Sequence, residues 1–199
     1  GLDDDNATLV PRLATTWASN PEQTEFTFTL DPVATFADGT PVTSADVKWS
    51  WERLKGLQGS SSYLVGTIDT IDTPDPQTVK VTLAQPNSAF LAQVNASYLG
   101  IVNSTLAEAN GATADPATDK GEEWFLANSA GSGPFVLGSY QAGAELRLKR
   151  NDAYWGEFAP YDYFSRYARE RSTLSQDFRV ESNPGGVIDW VAGLYALRL

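Results

Sequence analysis

Residues 36–54 read FADGTPVTSADVKWSWERL, and the fold is read outward from this stretch. Asp38-Gly39 carries turn chemistry, because glycine takes a positive φ without steric cost. Pro41 fixes the direction in which the chain leaves the turn. Thr43 suits a helix N-cap, and Asp46, three residues on, sits where the helix dipole favours negative charge. Val47, Trp51 and Leu54 recur at helical spacing and form an apolar stripe, with Glu52 and Arg53 off it. The stretch predicts the end of a strand, a tight turn and an amphipathic helix, in that order.

Strand patterns flank it on both sides. Residues 25–30, EFTFTL, alternate: Phe26, Phe28 and Leu30 on one face, Thr27 and Thr29 on the other. Residues 78–83, TVKVTL, repeat the pattern with Val79, Val81 and Leu83 inward. Period-two alternation marks half-buried strands. Residues 68–71 read as a short strand or turn, ended by Pro74-Asp75-Pro76. Residues 56–66, GLQGSSSYLVG, are rich in Gly and Ser and read as a flexible loop. Residues 87–94 suggest a short helix with Phe90 and Leu91 inward. Residues 98–106 read as an apolar strand and 107–121 as a solvated connector, with a helical turn starting at Glu122. Residues 128–156 read as a Gly-rich turn, a strand, a turn at 141–143 and a return strand over 146–149. Gly131 and Gly133 allow close approach of another backbone or a ligand. Further on, 163–171 reads as a strand and 173–180 as a helix.

Composition excludes several functions. Of the 199 residues, 42% are hydrophobic, enough to build a core, and the net charge of −11 disfavours binding to nucleic acid. The sequence holds no Cys, His or Met. Thiol catalysis, Cys or His metal sites and His-dependent hydrolysis are therefore out of reach. With no Met at position 1, the chain is expected to be processed or partial. No run of about 18 apolar residues occurs, so the sequence predicts no membrane-spanning helix. Asp69, Asp72 and Asp75 resemble a calcium ladder, but the central Gly and terminal Glu of an EF-hand are missing. Asp38 and Asp46 serve the turn and the helix start and are not read as an acid/base pair. The spacing around 131–133 is not that of a phosphate loop, since no GK[ST] follows. Most of the six Trp are read as core.

Several segments taken together resemble the family 5 extracellular solute-binding proteins, the peptide and nickel receptors of ABC importers. The 36–54 stretch is close to that family's turn-helix signature. Pro11, Leu13, Ala14 and Trp17 match its "lvPaLAesW" segment. Gly131, Gly133, Pro134, Phe135, Leu148, Arg150, Asn151, Tyr154, Trp155 and Gly156 fall in register with its "GTGPy…YWg" pattern. Residues 186–189 are similar to its "GevD" motif. Asn103 and Ser104 stand where the family has Pro-Lys.

The resemblance implies an α/β fold (mixed α+β) of the periplasmic-binding-protein type II kind: one lobe with an inserted smaller subdomain. Residues 1–128 would be that subdomain and 129–199 part of the first main lobe, with the second lobe absent from this chain. It implies capture of a small peptide or similar solute for an ABC permease by a monomeric, extracytoplasmic receptor, periplasmic or lipid-anchored at the cell surface. No cofactor, metal or catalytic residue is implied. The ligand-binding residues it points to are Ser62 and Tyr63 in the loop after the helix, and Gly131, Ser132 and Gly133. The readings kept beside it are a carbohydrate-specific member of the family and, from another class, an acidic hydrolase. The hydrolase requires two convergent, partly buried carboxylates in a cleft.

Overall fold

The computed structural model describes Gly1, residues 8–157, and the backbone of two strands at 178–181 and 191–194. The chain divides into two compact units, Gly1–Glu157 and Phe158–Leu199. The division expected between 128 and 129 falls within the first.

The first unit is built on a four-stranded antiparallel sheet. Its strands are β1 (Ala14–Ser19), β2 (Glu25–Leu30), β3 (Ile68–Asp75) and β4 (Thr78–Leu83), in the order β1-β2-β4-β3. β2 and β4 occupy the positions read from their alternation. Phe26, Phe28, Leu30, Val79, Val81 and Leu83 are all buried on one face. β3 runs past Pro74 to Asp75, beyond the expected break. It is an edge strand, and there a missing N–H costs no ladder bond. β1 was not read as a strand, since its pattern of ATTWAS is only partly buried.

Helix α1 (Ser44–Leu57) lies on the sheet face, with Val47 and Trp51 buried in the core. Its start is fixed by Asp46, whose Oδ2 accepts from the Thr43 N–H at 2.9 Å and the Thr43 hydroxyl at 2.6 Å. Its first turn is tied to the β3–β4 turn: the Ser44 hydroxyl donates to the Asp75 carbonyl at 2.6 Å. The turn before it closes as expected, with Gly39 at φ 82°. Gly56 is the last glycine inside the helix. A Cβ there would stand 2.2 Å from the Ala114 carbonyl oxygen, so the close approach requires glycine.

Short elements cover the rest of the sheet and helix. They are α2 (Phe90–Gln93), α3 (Ser104–Ala109) and α4 (Gly121–Ala127). Phe90 is fully buried against Phe26, ring centroids 4.8 Å apart, and meets Trp51 edge-on. Three expectations are corrected here. The loop after α1 contains an ordered 3-10 turn, Ser62–Val65, because Leu64 and Val65 anchor in the core. Residues 98–106 are no strand: a 3-10 turn at Ser97–Leu99 is followed by α3, capped by Asn103, whose Oδ1 accepts from the Leu106 N–H at 2.9 Å. Residues 107–121 are more than a solvated connector, since Ala107 and Ala112 are buried and Asp119 binds Arg53.

The unit ends in a hairpin, β5 (Phe135–Gln141) and β6 (Glu145–Arg150), turned at Gly143 with φ 72°. In the second unit β7 (Phe178–Glu181) pairs antiparallel with β8 (Val191–Leu194). The helix expected over 173–180 is therefore corrected at 178–180, where the backbone is held in a ladder. The strand expected at 163–171 and the motif at 186–189 lie outside the described residues.

Candidate functional site

The residues expected to bind ligand sit at two places on the first unit. Ser62 and Tyr63 form the outer corner of the 3-10 turn that follows α1. The Ser62 hydroxyl donates to the Gly59 carbonyl at 2.8 Å, which closes the loop locally. Tyr63 is 72% exposed while its neighbours Leu64 and Val65 are buried, so the turn holds the ring out into solvent.

Residues 131–133 lie by the other end of α1. The Gly131 carbonyl accepts from the Ala37 N–H at 3.2 Å, inside the turn that precedes the helix. The Ser132 carbonyl accepts from the Trp155 indole at 3.1 Å, and the Gly133 carbonyl from the Asn151 side chain at 2.8 Å. Buried Asn151 also donates its backbone N–H to the Pro134 carbonyl at 2.9 Å. The Asn-x-x-Tyr-Trp run thus holds the Gly-Ser-Gly turn by its carbonyls. Both glycines face open space: a Cβ on either would meet nothing within 4 Å. No neighbouring backbone uses the room they leave. The two sets of residues hang from opposite ends of a 14-residue helix, on the order of 20 Å long.

Between them lies a polar knot that the sequence only half revealed. Asp46 and Asp38 are brought against consecutive residues, Ser104 and Asn103. Asp46 Oδ1 accepts from the Ser104 N–H at 3.0 Å and its hydroxyl at 2.7 Å, while Oδ2 serves Thr43. Asp38 Oδ1 accepts from the Thr40 N–H and hydroxyl at 2.9 and 2.6 Å; Oδ2 takes the Asn103 amide at 2.9 Å. The Thr40 hydroxyl chiefly holds the Asp38 carboxyl below its ordinary value. All four carboxylate oxygens are engaged within the fold. This pair caps helices and leaves no lone oxygen poised to move a proton, which weighs against the hydrolase reading.

A second cluster joins α1 to the loop before α4. Arg53 clasps Asp119 with Nη2 at 2.9 and 2.8 Å from the two oxygens, and its guanidinium lies over Trp49 and Phe125. Burial works against ionisation of Asp119. The Thr113 N–H and the Arg53 guanidinium more than offset it, and the carboxyl stays below its ordinary value. Among the described residues no group of three acidic side chains could hold a metal ion. Asn103, Ser104 and Asp119 were missed. An Asn ahead of Ser-Thr-Leu is a usable N-cap signal; a contact between positions 53 and 119 leaves no local trace.

Comparison with known proteins follows from this geometry. The sequence profile described as bacterial extracellular solute-binding proteins, family 5, middle region, matches residues 8–176. The chain is similar to the probable D,D-dipeptide-binding periplasmic protein DdpA of Escherichia coli K12, 41% identical over 145 residues, covering 72% of this chain and 27% of that protein. It is similar to the periplasmic murein peptide-binding protein MppA of the same strain, 31% identical over 167 residues, covering 74% and 29%. Among solved structures it is similar to the binding protein AgaA of A. tumefaciens R10 in complex with agropinic acid, with a TM-score of 0.65, 33% identity and coverage of 76% and 29%. The chain therefore spans less than a third of the length of these proteins.

Proposed function

Since the chain belongs to the bacterial extracellular solute-binding proteins of family 5, we propose that it forms part of an extracytoplasmic receptor that captures small peptides and delivers them to an ABC transporter permease. One observation carries this reading: the profile match over residues 8–176, joined to 41% identity with a protein named for D,D-dipeptide binding. In this reading residues 1–128 correspond to a smaller inserted subdomain and 129–199 to part of a main lobe. Tyr63, Ser62 and the 131–133 turn contribute to the ligand side. The open space around Gly131 and Gly133 and the exposed Tyr63 ring support that assignment.

The mechanism is hinged closure on the solute and its release unaltered, by a monomer without cofactor or covalent chemistry. The absence of His and Cys and the full engagement of Asp38 and Asp46 favour binding over turnover. The net charge of −11 disfavours nucleic acid as a partner. The compartment is outside the cytoplasm, as the names of DdpA and MppA state for those proteins.

A second reading, a non-peptide solute such as a carbohydrate derivative, draws on the AgaA complex with agropinic acid and on two exposed rings, Tyr63 and Tyr98. Native mass spectrometry of the protein recovered from its own host separates the two. A co-purified dipeptide or oligopeptide mass is expected. A sugar-derived mass selects the second reading, and conversion of the released solute into product overturns both.

A further inference from the structure

We propose that the first unit carries a separate binding cavity for an apolar monocarboxylic acid, with Arg12 as its anion anchor. The cavity lies between the β1 side of the sheet, α1 and residues 91–101, and has a volume of about 370 Å³. Protein interiors leave few voids larger than a water molecule, whereas small-molecule pockets begin near this size.

The opening arises from uneven filling of one sheet face. Toward β4 and β3 the face is closed by Phe26 stacked on Phe90. Toward β1 the covering residues are small or only partly buried, Ala14, Ala96 and Trp17 among them, and the gap stays open. Its walls are apolar: Phe28 from the sheet, Trp51 from the helix and Val94 from the cover. The one indole N–H in the buried wall, that of Trp51, is already donated to the Leu99 carbonyl at 3.2 Å.

The rim has the opposite character. Arg12 lines it, solvent-exposed, and none of the ion pairs among the described residues involves its guanidinium. The Gly1 ammonium stands beside it and donates to the Val10 carbonyl at 2.8 Å. Although the chain has 25 acidic residues, no Asp or Glu lines this cavity. A zwitterionic peptide would find no partner here for its ammonium group. An apolar tail with a carboxylate head satisfies both parts: the tail leaves water, and the head takes a two-point bond from the guanidinium. The cavity is lined by neither Tyr63 nor residues 131–133. The inference is thus independent of the peptide reading.

Titration of the full 199-residue chain with decanoate, decanol and decylammonium, each below its micelle concentration, tests it by tryptophan fluorescence. Saturable one-to-one decanoate binding with an emission change is expected, and the change should diminish in Trp17→Phe. Arg12→Gln should weaken decanoate about tenfold, to the level of decanol, the loss of one charge-assisted pair. Arg12 is exposed, so thermal unfolding of the variant should match the parent and certify its fold. No saturable binding, equal decanoate affinity in Arg12→Gln, or equal binding of decylammonium overturns the proposal. A dimer in sedimentation at the titration concentration, dispersed by Trp17→Lys, overturns it in favour of a second copy as the occupant.

Discussion

The four-stranded sheet and the β5–β6 hairpin present the same sequence pattern with opposite outcomes. In β2 and β4 the alternating residues Phe26, Phe28, Val79 and Val81 are at most 7% exposed. In β6 the alternation is equally clean, Leu146 and Leu148 against Glu145, Arg147 and Lys149, yet Leu146 is 59% and Leu148 56% exposed. The difference is α1. A capped amphipathic helix, pinned at both ends, covers one face of the sheet, and nothing in the first unit covers the hairpin. Alternation fixes which side chains share a face; whether that face is buried depends on an element elsewhere in the chain.

The largest effect expected from this contrast is in paired truncations. Phe26→Ala should destabilise the chain by about 3–5 kcal/mol, through lost transfer energy and a cavity against Phe90. Leu148→Ala should change stability by less than about 0.5 kcal/mol, because its side chain is already in water. Urea unfolding followed by fluorescence reads both. An equal cost at the two positions would break the comparison and mean that the hairpin face is covered in solution.

Next in size is the knot that holds α1 in place. Asp46→Ala removes the acceptor for Thr43 and Ser104 together and leaves buried N–H groups of two helix starts unpaired. A loss of about 2–4 kcal/mol is expected in the same unfolding assay. Asp46→Asn should recover part of it, since an amide oxygen still accepts on one side. A loss no larger than that of an ordinary surface cap would mean that α3 is held by packing alone.

These two regions also show what the sequence could and could not tell. The turn at Gly39, the cap at Thr43, the stripe of Val47 and Trp51 and strands β2 and β4 were legible because each is a local signal. The family was legible because its matches are long and ordered. The 3-10 turn at Ser62–Val65 was not, since Gly and Ser composition hid two core anchors, Leu64 and Val65. The α3 helix was masked by an apolar run, and Asn103 was seen only as a departure from Pro-Lys. Of the candidate site, the carbonyl-held turn at 131–133 was visible as a Gly-Ser-Gly run. Its supports, Asn151 and Trp155, were visible only as matches in register. The Arg53–Asp119 clasp and the apolar cavity depend on segments distant in sequence, which no pattern of spacing encodes.

A smaller effect sharpens the point about distant contacts. Gly56 reads in sequence as the start of a loop, but in the fold it is the helix position closest to residue 114. Gly56→Ala should gain about 1 kcal/mol of helix propensity and lose about 1–3 kcal/mol to the clash with the Ala114 carbonyl. A net loss of roughly 1 kcal/mol is expected. Net stabilisation would show that the 113–120 loop yields easily and that the α1 side of the comparison is softer than its hydrogen bonds suggest.

The smallest effect separates the two regions by acid titration. Asp119 is held below its ordinary carboxylate value in the folded chain, in spite of burial, by the Thr113 N–H and the Arg53 guanidinium. A depressed folded value means that the unfolded chain binds protons first as pH falls. The stabilisation is complete above the unfolded value and is lost as pH drops through the folded one. The stability difference between the parent and Asp119→Asn should therefore be constant near neutrality and vanish toward about pH 2. Glu145, paired with Arg147 at 2.8 Å on the exposed hairpin, provides the control, because a solvated pair contributes little. Glu145→Gln should leave the acid limb of the unfolding curve where it was. If both variants shift that limb equally, the clasp under α1 is no better shielded from water than the hairpin pair. The physical distinction between a covered and an uncovered pattern would then fail at its most sensitive point.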